Sequence, residues 1–65
     1  MGIDMNVIAK LKEVIEILKN YNKGLLTEHQ VVVSLNHFEM TCDLGLSRNN
    51  TYLVHTTEGL YTVTL

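Results

Sequence analysis

The sequence predicts an α+β fold in which one N-terminal amphipathic helix packs on a four-stranded antiparallel meander, in the order αββββ. Three features lead there. Apolar residues recur at helical spacing up to a glycine, the parity of apolar positions switches around Asn36-His37, and a second alternating pair of segments flanks Glu58-Gly59.

The helix is expected over about residues 4–23. Val7, Leu11, Val14, Leu18 and Tyr21 follow one another at steps of three and four, and Ile8 and Ile15 flank them, which places all seven on one face. Lys10, Lys12, Glu13, Glu16, Lys19 and Asn20 fill the opposite side. Asp4 or Asn6 can accept from the free amides of the first turn. Lys23 suits the negative end of the helix, and Gly24 supplies a left-handed cap over which Leu25 and Leu26 fold back.

Residues 27–46 admit two readings. Thr27-Glu28 can open a second helix with Val32, Leu35, Phe38 and Cys42 as its stripe. Read at period two, Val31, Val33 and Leu35 are apolar while Gln30, Ser34 and Asn36 are polar, with Val32 the exception, and after Asn36-His37 the apolar set moves to Phe38, Met40, Cys42 and Leu44. Such a shift is what a two-residue hairpin turn requires, because directly opposed residues share a face. Leu35 would then meet Phe38, Val33 meet Met40, Val31 meet Cys42 and His29 meet Leu44. Three consecutive β-branched valines favour the strand. The hairpin is preferred, with strands at about 29–35 and 38–45.

The last two strands are expected at about 51–57 and 60–65, joined by a turn at Glu58-Gly59. Pairing Thr57 with Leu60 places Thr56 opposite Tyr61, Val54 opposite Val63 and Tyr52 opposite Leu65. Leu53, His55, Thr57, Leu60, Thr62 and Thr64 take the other face, joined there by Val32. The link Gly45-Leu46-Ser47-Arg48-Asn49-Asn50 is rich in turn formers and should close a third hairpin. No linker, repeat or low-complexity segment interrupts residues 1–65, which read as one domain.

At 65 residues the chain has little core to spare, and with a single cysteine, Cys42, it cannot form an internal disulfide. Self-association is the expected support. The net charge of -2 gives no long-range attraction to nucleic acid or anionic lipid. No apolar run approaches the ~20 residues of a membrane span, and no signal peptide opens the chain. Asn6 departs from the myristoylation pattern after Met1-Gly2, and Asn49-Asn50-Thr51 reads as a turn more than as a glycosylation site. A cytoplasmic location follows. One arginine against four lysines and six asparagines is a bias of AT-rich genomes, whose bacteria and phages encode many short stand-alone proteins.

No catalytic, cofactor or metal site is expected. Cys42 falls on the inward face as a small hydrophobe, His37 and His55 are too far apart to make a metal site, and no glycine-rich phosphate loop is present. What remains is surface. The last strand, Leu60-Tyr61-Thr62-Val63-Thr64-Leu65, lies at a sheet edge without Lys, Pro or an inward charge, the guards natural edges usually carry. The alternative to pairing is an edge shielded by the arm Met1 to Ile3. Leu53, His55, Leu60, Tyr61, Val63 and Leu65 are the expected partner or dimer contacts. The expected function is a small non-enzymatic protein-binding module, a homodimeric inhibitor or regulator of a larger protein, with a phage protein acting on a host or defence enzyme as the specific form. An accessory subunit that folds on assembly is a further possibility. The alternative class follows from the helical reading of 27–42, since a helix pair with a C-terminal hairpin resembles a reduced winged helix and would suit a nucleic-acid-binding transcriptional regulator.

Overall fold

The computed structural model describes residues 5–46 and 49–65. Its elements run α1 (Met5–Asn22), α2 (Glu28–Asn36), β1 (Thr41–Cys42), a 3-10 turn (Leu44–Leu46), β2 (Thr51–Thr56) and β3 (Gly59–Thr64). The class is α+β with an antiparallel sheet. The described residues form two helices and three strands in the order β1-β2-β3, where one helix and four strands were expected.

The first helix forms as its periodicity requires. Val7, Val14 and Leu18 are buried, and Leu11, Ile15, Ile17 and Tyr21 pack around them. It ends in a Schellman motif: the Leu25 amide donates to the Asn20 carbonyl at 2.9 Å and the Gly24 amide to the Tyr21 carbonyl at 3.0 Å. Gly24 takes φ +81°, the left-handed conformation that only glycine adopts without a steric cost. Leu26 folds back onto the core, but Leu25 stays in solvent. Asp4, the arm Met1 to Ile3, and Ser47-Arg48 of the expected link lie outside the described residues.

The expected hairpin at Asn36-His37 is not formed. Residues 29–35, read as a strand, lie inside α2, and of the second expected strand, 38–45, only Thr41–Cys42 is extended. Local chemistry explains the outcome. Thr27 Oγ1 accepts from the Gln30 amide at 3.1 Å while Gln30 Oε1 accepts from the Thr27 amide at 2.8 Å, a reciprocal capping box that starts the helix. Val31 and Leu35, one turn apart, are buried; Val33 faces solvent instead of meeting Met40. At the far end the Met40 amide donates to the Leu35 carbonyl and the Glu39 amide to the Asn36 carbonyl, both at 3.0 Å. This second Schellman motif puts Met40 in the same core as Leu35. Two residues of apparent hairpin turn are thus the last turn of a helix.

The motif forces Glu39 to φ +59°, a conformation costing an ordinary residue about 1–2 kcal/mol. Replacing Glu39 with Gly is expected to stabilise the fold by about 1 kcal/mol, less any entropy glycine gains in the unfolded chain. Chemical denaturation of the two proteins checks this, and an unchanged or lower midpoint would contradict it.

The sheet follows the predicted faces with a shifted register. Tyr52 pairs with Val63, Val54 with Tyr61, and Thr56 with Gly59, where Tyr52–Leu65, Val54–Val63 and Thr57–Leu60 were expected. The turn therefore lies at Thr57-Glu58. Thr56 Oγ1 holds it, donating to the Gly59 carbonyl at 2.9 Å and accepting from the Glu58 amide at 3.0 Å, while Gly59 at φ +124° re-enters the strand. The shift is by two residues, so each side chain keeps its predicted face. Thr41 pairs with His55 and Cys42 with Val54, which makes β1 a short neighbour of β2. Helix α1 packs on α2, and α2 on β1. Val31, Leu35, Met40, Leu44, Tyr52, Val54 and Val63 join Val7, Val14 and Leu18 in one core.

Candidate functional site

The side of the sheet turned away from the core carries the candidate surface. Strand alternation gives β2 one row, Tyr52 and Val54, that points inward and another, Leu53 and His55, that points out. Across the ladder Leu53 opposes Thr62 and His55 opposes Leu60, with Thr51 opposite Thr64 at the end. Leu53 and Leu60 are consequently diagonal neighbours, close enough for their side chains to share one contact patch. Leu60 is 58% exposed and Leu53 37%. Threonines 41, 51, 62 and 64 surround them, and Thr51 and Thr64 share a hydroxyl hydrogen bond of 3.2 Å.

His55 adds an ionisable pair to this surface. Its Nε2 lies 3.1 Å from Asp43 Oδ2, and both side chains are about half exposed. A pair this open to water holds the imidazole in place more than it stabilises the fold.

Of the six expected contacts, Leu53, His55 and Leu60 lie together on this outer face. Tyr61, Val63 and Leu65 do not join them: Val63 is in the core, and Tyr61 and Leu65 pack against it half-buried. Their backbones do not reach a partner either: the Leu65 amide donates to the Asn50 carbonyl at 2.9 Å, and in the same register the backbone groups of Tyr61 and Val63 point toward β2. Val32, expected beside Leu53, is instead on the solvent side of α2 with Val33. The signal that places both there is the capping box Thr27-x-x-Gln30, which makes the segment a helix and turns Val31 and Leu35 to the core.

Cys42 packs against the core from β1. Burial, with the neighbouring Asp43 carboxylate adding to it, pushes its thiol from 9.0 up to about 11, so it is protonated and unreactive at neutral pH. Among the described residues there is no pocket and no group of three or more His, Cys, Asp or Glu placed to hold a metal ion. No helix there is long and apolar enough to cross a membrane.

No protein-family model matches the chain, and no curated protein or solved structure matches it.

Proposed function

We propose that this chain is a small non-enzymatic protein-binding module that acts as a homodimeric regulator or inhibitor of a larger protein. One observation carries the reading. The outer sheet face sets Leu53 and Leu60 on one diagonal, bordered by threonines and by the His55–Asp43 pair, next to an edge strand that no other described strand covers. An exposed apolar pair gains on leaving water, and an open edge adds directional hydrogen bonds to a contact made there.

The test is affinity capture from the source cell with the full chain and with Leu53→Lys as bait. Leu53 lies on the central strand, so the lysine alters the face and leaves the edge intact. The expected result is a protein retained by the wild-type bait and lost with Leu53→Lys. Retention indifferent to the lysine, or enrichment of nucleic acid in place of protein, would contradict the reading.

A second reading rests on α2. A helix pair followed by a hairpin is the frame of a reduced winged helix, and the exposed side of α2 offers His29, Gln30 and Asn36 as base-reading groups. The electrostatics oppose it. The segment 28–36 contains no Lys or Arg and starts with Glu28, and the hairpin tip carries Glu58. Phosphate contacts supply most of the affinity of such proteins. A salt-sensitive mobility shift with duplex DNA would favour this second reading.

A further inference from the structure

The direction of every backbone group on β3 follows from one bond. The Leu65 amide donates to the Asn50 carbonyl at 2.9 Å, and this bond continues the β2–β3 register by one step. In an antiparallel pair, bonded and non-bonded residue pairs alternate. Tyr52–Val63, Val54–Tyr61 and Thr56–Gly59 are therefore the bonded pairs. Leu60, Thr62 and Thr64 direct their N–H and C=O groups away from β2. The opposite side of β2 agrees: the Leu53 carbonyl, in the non-bonded pair with Thr62, accepts from the Asp43 amide beside β1.

We propose that this edge, unpaired among the described residues, pairs with the same edge of a second copy, antiparallel and with the two-fold axis at Thr62. The proposal rests on the homodimeric reading above, and it adds the edge and the register. In that register Thr62 faces Thr62 of the second copy, Leu60 faces its Thr64, and Thr64 faces its Leu60. Each pair exchanges two hydrogen bonds, about six in all, which satisfies the outward groups of Leu60, Thr62 and Thr64 on both chains.

The side chains suit a partner of identical sequence. Segment 59–64 carries no charge, so self-pairing sets no like charges opposite one another. The outer row becomes Leu–Thr, Thr–Thr, Thr–Leu. On the inner row Tyr61, half-buried in one copy, comes opposite Val63 of the other, an aromatic and β-branched pair of the kind that stabilises sheets. A strand of other sequence could use the same hydrogen bonds, but this edge already has its own complement. The other edge, β1, is two residues long and offers little to pair with. The product is a continuous sheet of six strands, three from each copy.

Sedimentation equilibrium of the full chain tests the register through Thr62, whose side chain is exposed. Thr62→Lys sets two ammonium groups opposite each other across the axis, and Thr62→Glu sets two carboxylates. Each alone is expected to weaken self-association about tenfold or more, while an equimolar mixture of the two associates again. Thr62→Pro, which removes only an outward N–H and leaves the bonds to β2 intact, is expected to give a monomer with an unchanged circular dichroism spectrum. A wild-type chain that stays monomeric at high micromolar concentration overturns the proposal. So does a dimer indifferent to lysine, glutamate and proline at position 62. Either failure leaves the capture experiment with Leu53→Lys to be judged separately, and a negative capture leaves this dimer standing.

Discussion

Val31→Asp is expected to unfold the protein, and Val33→Asp to leave it folded. The two valines are two residues apart, and a strand would place both on the same face. In α2 they part: Val31 is fully buried and Val33 is 44% exposed. A carboxylate at position 31 must either stay charged in an apolar core or take up a proton there, at a cost of several kcal/mol in either form. A domain of this size has on the order of 3–10 kcal/mol in total. At position 33 the carboxylate remains in water, and the change is expected to stay within about 1 kcal/mol. Urea titration followed by circular dichroism checks both variants. Equal damage from the two would restore the strand and overturn the account of α2.

Leu35→Ala should cost about 3 kcal/mol, the middle of the range for leucines cut from a packed core. Leu35 is among the largest side chains with no exposure to speak of. It also sits where two stabilising devices meet. Its carbonyl receives the amides of Phe38 and Met40, and its side chain is buried in the same core as Met40. Truncation opens a cavity at the junction of α2 and the strand that follows it. For a domain of this length such a loss corresponds to a drop in Tm on the order of 10–20 °C. Leu25→Ala makes the same chemical change on an exposed leucine and is expected to shift Tm by only a few degrees. A thermal melt of Leu35→Ala within a few degrees of wild type would show that the helix end is not anchored in the core.

Much of the fold is legible in the residues. The stripe from Val7 to Tyr21 has a single reading, and Gly24 announces its end because no other residue is at ease at its φ. The inward faces of β2 and β3 also follow from alternation alone. Their register does not. Glu58-Gly59 and Thr57-Glu58 are both acceptable two-residue turns, and the choice falls to the Thr56 hydroxyl, which bonds both sides of the second. The slip went unnoticed in the pattern because it moves every pair by an even number.

Segment 27–42 shows where periodicity loses its power. Val31 and Leu35 are separated by four residues, a multiple of two that is also one helical turn, so strand and helix both bury them. Only Val33 distinguishes the two, and its apolar side chain pointed the wrong way. The valine run favoured a strand by propensity, a preference that tertiary packing and capping routinely override. The decisive local signal was Thr27-x-x-Gln30, a capping box in plain view. The helix end had no such marker. A glycine at position 39 would have shown it, but the chain holds a glutamate there at positive φ. Of the surface, Leu53, His55 and Leu60 were placed correctly on one outer face, because that half of the pattern survives the change of fold.

In the proposed dimer β3 presents the outward N–H and C=O groups of Leu60, Thr62 and Thr64 to a second copy. Amide hydrogen exchange by NMR, recorded at a low and a high protein concentration, reads those three amides one by one. The account predicts that the amides of Leu60, Thr62 and Thr64 exchange rapidly in dilute solution and become protected as concentration rises, while Tyr61 and Val63, bonded to β2, are protected throughout. Fast exchange at all three outward amides in concentrated solution would contradict it.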